Sequence, residues 1–184
     1  MIVAYILGIL IAVALICFFI IFNSLIHLKV RVENAWSQID VQLKRRHDLI
    51  PNLVEAVKGY LAHEKDTLER VIKARTQAID ASGLKDKVAA ENFLTQTLRS
   101  LFAVVERYPD LKANQNILKL QEELTSTENK IAFARQYYND EVRLFNTQLQ
   151  VVPSNIVADI SGFKKKEFFE IEDASQKEPP KVEF

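Results

Sequence analysis

The chain has 184 residues, and its 24 Lys and Arg residues balance its 24 Asp and Glu residues. A neutral balance gives no basic field for nucleic acid. A single cysteine excludes a disulfide within the chain and a thiolate metal cluster, and four glycines leave no phosphate-cradling loop.

Residues 2–22, opening at Ile2 and closing at Phe22, are unbroken apolar sequence without a charge. A helix of about 21 residues crosses a ~30 Å hydrocarbon core, so residues 1–24 are expected to be a transmembrane anchor. A secretory signal has a positive n-region and a small-x-small cleavage site. Neither is present, and the anchor is expected to stay uncleaved. Ile16 precedes Cys17 where a lipoprotein site needs a small residue, which leaves Cys17 as apolar filler. Lys29, Arg31, Lys44, Arg45 and Arg46 follow the anchor and no Lys or Arg precedes it. The positive-inside rule then puts the N-terminus outside and the domain in the cytoplasm.

Helical periodicity continues from the anchor. Leu25, Leu28, Val32, Trp36, Ile39 and Leu43 recur at threes and fours, so anchor and first helix read as one rod, at ~1.5 Å per residue roughly 65–70 Å long. A second helix is expected from Asp48, a plausible cap, with Pro51 in its first turn, ending near Ser82-Gly83. A third carries Val88, Leu94, Leu98, Leu101, Phe102 and Val105 and stops at Tyr108-Pro109. The fourth has the cleanest stripe, from Ile117 through Leu124, Ile131, Ala134, Tyr138, Val142 and Phe145 to Val152. The Arg46 to Pro51 junction is either a tight turn or a kink. With a turn the fold is all-α: a transmembrane helix continuous with an elongated antiparallel four-helix bundle over residues 25–152. Residues 153–169 read as a short amphipathic segment, in which Ile156, Val157, Ile160 and Phe163 make one amphipathic turn that Gly162 ends; Lys164-Lys165-Lys166 and Phe168-Phe169 either touch anionic lipid or pack on the bundle, the second being favoured. Residues 170–184 have the composition of a disordered tail.

No catalytic, cofactor or metal set emerges. His63-Glu64 opens a zinc-protease pattern, but Thr67 stands where the second histidine belongs. No Glu is followed three residues later by His, as a carboxylate di-iron bundle needs. Two polar clusters are candidates. Arg45, Arg46 and Asp48 lie at the expected end of the first helix, where Lys and Arg satisfy free carbonyls and the dipole; docking of an acidic partner is the alternative. Arg135 and Asn139 lie on the fourth helix, where Arg135 next to stripe residue Ala134 is placed to reach Glu33 or Asp40 and fix register. A ligand site there is the lesser reading. Trp36 reads as a core anchor.

Specific strings then carry a resemblance: Arg31-Val32-Glu33-Asn34-Ala35-Trp36 continuing to Arg46, then Asp48-Leu49-Ile50-Pro51-Asn52-Leu53, Tyr108-Pro109-Asp110-Leu111-Lys112-Ala113-Asn114, Leu120-Gln121-Glu122-Glu123-Leu124 and Thr127-Glu128-Asn129-Lys130-Ile131 running on to Arg135-Gln136. In this order they resemble the LemA family of bacterial membrane proteins, from the anchor to about Phe169. The resemblance implies one N-terminal transmembrane segment in a bacterial inner membrane, a long helical bundle, no established reaction and no catalytic residues. It also implies association with membrane zinc proteases of the HtpX type or TPM-domain proteins, and kinship with magnetosome membrane proteins. The expected function is a non-enzymatic membrane scaffold or adaptor, in contact with membrane lipid, that forms a homo-oligomer or binds a membrane partner in envelope maintenance. The alternative is a membrane-bound sensor holding a small ligand or ion between helices.

Overall fold

A computed structural model describes residues 1–61 and 64–169. Among the described residues every regular element is a helix: α1 (Ile2–Lys58), α2 (Lys65–Asp80), α3 (Leu84–Val105), α4 (Pro109–Lys112), α5 (Gln115–Gln148) and α6 (Ser154–Ser161). The all-α expectation holds. His63 and residues 170–184, with the expected disordered tail, lie outside the described residues.

Two boundaries differ from the sequence reading. Neither a turn nor a new helix start occurs at Arg46 to Pro51, because α1 runs through Pro51 to Lys58. The helix expected from Asp48 to about Ser82 is instead divided: α1 ends before Gly59 and α2 opens at Lys65. Glycine lacks the Cβ that restricts the backbone and weakens a helix by about 1 kcal/mol relative to alanine. Burial explains why the helix survives Pro51 but not Gly59. Ile50, Leu53, Val54 and Val57 are all buried, and continuing the helix is what puts these four on one face.

The chain forms two compact units that share α1 and α5. The first comprises residues 1–41 and 132–168. Its interior holds Leu25, Val32, Ala35 and Ile39 from α1, Tyr138, Val142 and Phe145 from α5, and Val157 and Ala158 from α6. Trp36 meets Tyr138 edge-on at 5.5 Å between ring centroids, as a partly buried anchor. Phe163 bridges Phe22 and Phe145, at 5.9 and 6.3 Å. Gly162 ends α6 in the left-handed conformation (φ 71°). The Phe163 amide then donates to the Ala158 carbonyl and the Gly162 amide to Asp159, the paired bonds of a Schellman motif.

The non-helical stretch after Gly162 is held by side chains of α5. Asn146 Nδ2 donates to the Lys166 carbonyl and Asn146 Oδ1 accepts from the Lys166 amide, both at 2.8 Å. The Tyr138 hydroxyl donates to the Glu167 carbonyl at 3.0 Å. Burial, and then the Glu167 charge, push the Tyr138 phenol above its usual range. Lys164 and Lys165 remain exposed.

Of the described residues, the second unit comprises 42–131 and Phe169. Ile50, Leu53 and Val57 of α1, Val71 and Ala74 of α2, Leu94 and Leu101 of α3, Leu111 of α4 and Ile117 and Leu124 of α5 form one buried cluster. Gly83, at φ 85°, connects α2 to α3, which pack directly on each other. Asn114 caps α5: its Oδ1 accepts from the Asn116 amide at 3.0 Å, as side-chain caps at free helix amides do.

Among the described residues one helix, α1, is long and apolar enough to cross a membrane. Its most apolar stretch buries nothing within the protein. Large side chains from Ile2 to Ile20 stand exposed along it.

Candidate functional site

The site begins with the missing amide of Pro51. In an α-helix the carbonyl four residues earlier depends on that amide, and proline does not supply it. Here that carbonyl belongs to His47, and Arg75 Nε of α2 donates to it at 2.7 Å. The proline is thus accommodated by a side chain from a neighbouring helix.

One residue earlier, Arg46 is fully buried, with 0% of its surface exposed. Its Nη2 pairs with Glu91 Oε2 and also reaches the Glu91 carbonyl at 3.3 Å. Its Nη1 donates to Glu128 Oε2 at 2.6 Å and to the Thr95 hydroxyl at 2.8 Å. Thr95 in turn donates to Glu128 Oε1 at 2.9 Å. His47 Nε2 stands 3.0 Å from Glu91 Oε1, at ion-pair distance but off the line of a good hydrogen bond. The node therefore joins α1 (Arg46, His47), α2 (Arg75), α3 (Glu91, Thr95) and α5 (Glu128).

Its electrostatics follow from burial and pairing. Glu91 is also 0% exposed, and burial alone would raise its carboxyl pKa. The proximity of His47 and the charge of Arg46 outweigh that and hold it below its ordinary value of 4.5. A guanidinium in a fixed fork suits two carboxylates at once. Removing one partner from such a buried set leaves an uncompensated charge on the others. Chemically the arrangement is a brace: its hydroxyl is committed to a carboxylate and both carboxylates to the guanidinium. Among the described residues no three His, Cys, Asp or Glu side chains gather as a metal-binding group.

Of the residues singled out from sequence, only Arg46 enters the node. The capping role expected for it is corrected, because α1 does not end there but runs on to Lys58. Arg45 is about half exposed and 3.8 Å from Glu123. Asp48 is exposed, and Arg135 and Asn139 are partly buried on α5 in the first unit. The sequence reading missed Glu91, Thr95 and Arg75, and gave no part in this node to His47, which lies in the same basic run as Arg46, or to Glu128. A signal was available for two of the partners. Arg46 falls between Leu43 and Ile50, and Glu91 between Val88 and Leu94, at spacings of three and four within their apolar stripes. A charge at a stripe position marks a buried, paired group.

Beside the node, Arg46, Thr95 and Glu128 also border a partly open cavity of about 200 Å³.

Comparison with known proteins places this geometry in a family. The chain is similar to magnetosome protein MamQ 2 of Paramagnetospirillum magneticum, with 24% identity over 175 residues, covering 81% of this chain and 64% of that protein. It is similar to protein LemA of Metamycoplasma hominis, with 26% identity over 137 residues, covering 74% and 63%. The likeness to MamQ of Magnetospirillum gryphiswaldense is 22% over 174 residues, covering 80% and 64%. The chain thus spans a little under two thirds of the length of these relatives. The LemA family model matches residues 35–184, which takes in all of the node and extends past Phe169, where the sequence motifs stop. The chain belongs to the LemA family.

Proposed function

We propose that this protein is a non-enzymatic scaffold or adaptor, anchored in a bacterial inner membrane by residues 2–22, that associates with copies of itself or with a membrane partner. The observation that carries the reading is an exposed apolar stripe on α5. Phe133, Tyr137 and Leu144 are 71%, 42% and 46% exposed, and at 100° per residue their spacing of four and eleven puts them within one narrow face. Exposed apolar patches of this kind are typical of interaction sites. Tethering in a membrane raises the effective concentration of neighbours, so a modest lateral contact suffices for assembly.

The N-terminus is outside and the charged helices are cytoplasmic, a reading supported by the basic residues that follow the anchor. A membrane zinc protease of the HtpX type or a TPM-domain protein is the proposed partner, on the ground of the family resemblance. Size-exclusion chromatography with light scattering of the full chain in mild detergent tests the central point. A defined oligomer is expected, and a strict monomer at high loading overturns self-association. Co-purifying proteins from the same preparation, identified by mass spectrometry, test the partner. Protease treatment of right-side-out vesicles tests orientation: digestion of the helical domain without lysis would reverse it.

A further inference from the structure

The cavity beside the charge node has the make-up of a ligand site. Leu98, Phe102 and Leu124 supply apolar wall, and Arg99, Thr125 and Asn129 supply exposed polar groups. Protein interiors pack densely, and an unfilled recess forfeits contacts on its walls. A concave apolar surface with a few polar groups is the usual form of a small-molecule site. At about 200 Å³ this one is small, sized for a single ring or a short branched chain.

The commitments of the polar groups decide what charge the occupant carries. Both oxygens of Glu128 are taken, one by Arg46 and one by Arg46's neighbour Thr95. The charge of Arg46 is itself met by Glu91 and Glu128. The Thr125 hydroxyl donates to the Gln121 carbonyl at 2.8 Å. Glu128 thus has both oxygens hydrogen-bonded within the node, which holds its carboxylate in place on the recess wall. Arg99 differs: it is exposed, and among the described residues no ion pair engages it. A guanidinium at the edge of an apolar recess recognises a carboxylate by paired charge-assisted hydrogen bonds.

We propose that the recess binds a small organic monocarboxylate, its apolar body against Leu98, Phe102 and Leu124 and its carboxylate on Arg99, with the Asn129 amide as a further donor. Because Thr95 and Glu128 border the recess, a bound acid also rests against the node.

Phenylacetate is a suitable probe, with phenylethyl alcohol and phenylethylamine as neutral and cationic counterparts of the same body. Titration calorimetry on the full chain in mild detergent, referenced to detergent alone, reads the binding. Saturable one-to-one binding of phenylacetate is expected, with the alcohol weaker by about two- to five-fold, the range of one partly exposed ion pair. Arg99→Gln, on an exposed helix face, removes the preference for the acid. Thr125→Phe narrows the recess and weakens acid and alcohol alike, with helicity by circular dichroism unchanged in both variants. The proposal is overturned by absence of saturable phenylacetate binding at millimolar concentration. It is equally overturned by equal binding of the amine, or by Arg99→Gln and Thr125→Phe proteins that fold and bind as before.

Discussion

Arg46 is a charged residue in a core position, and its worth depends on whether its partners are all present. Truncating one member of a buried ion set strands the others, at a cost of about 3–5 kcal/mol. Arg46→Met is expected to destabilise the full chain by that amount in chemical unfolding, because it leaves Glu91 without its cation. Combining it with Glu91→Leu is expected to recover about 1 kcal/mol or more, since neighbours that share one network are not additive. Equal or greater loss in the double variant would show that the two residues do not act as a pair. Acid sensitivity belongs to the same group. Glu91 is held below its ordinary value of 4.5 in the folded chain. The folded state therefore binds that proton less readily than the unfolded state does. The stabilisation is present above the unfolded carboxylate pKa and is lost as pH falls through the folded one. Melting temperature should drop on acidification below about pH 4.5, the unfolded reference, and Glu91→Gln should flatten that part of the profile. An unchanged profile would remove Glu91 from the account of acid stability.

At the scale of the element, α1 is the unusual piece, a helix carrying an internal proline. A proline inside a helix ordinarily costs ~3 kcal/mol or more through its lost hydrogen bond and its ring. The Arg75 bond to the His47 carbonyl replaces the lost bond. The two residues should therefore be coupled although they belong to different helices. Arg75→Gln is expected to cost about 1–2 kcal/mol in the natural background and clearly less when Pro51→Ala has restored the amide. Thermal unfolding of the four proteins of this cycle gives the coupling directly, and strict additivity would mean that Arg75 does not serve the proline. The bracket that Asn146 places on Lys166 is a second case of one helix side chain fixing non-helical backbone.

For the whole molecule the question is what the exposed apolar surface meets. The most apolar stretch of α1 has no buried residue and is long enough to span a bilayer. The stripe of Phe133, Tyr137 and Leu144 lies elsewhere in the sequence and needs another occupant. Under the proposed function, Phe133→Glu with Leu144→Glu places charges on the contact and shifts the assembly toward monomer in light scattering, with little change in unfolding, because exposed positions seldom alter stability by more than about 0.5 kcal/mol. An unchanged mass would move the interface off this face.

The sequence by itself determined the helical class, the apolar segment at residues 2–22, the stop of α6 at Gly162 and the family. Each rests on local information: apolar residues at threes and fours, an uninterrupted run without charge, a glycine free to take positive φ, and motif strings in order. The fate of Pro51 could not be read this way. Local propensity offers a helix start there, and only the burial of Ile50, Leu53, Val54 and Val57 with a donor from Arg75, 28 positions beyond the His47 carbonyl that it serves, keeps the helix whole. The node was half legible, since Arg46 and Glu91 interrupt apolar stripes. Their pairing was not, because Arg46 and Glu128 are 82 positions apart and nothing in the chain's periodicity says which buried charge faces which. Tertiary packing decided that, because a charge leaves water only where an opposite charge and matching donors are already in place.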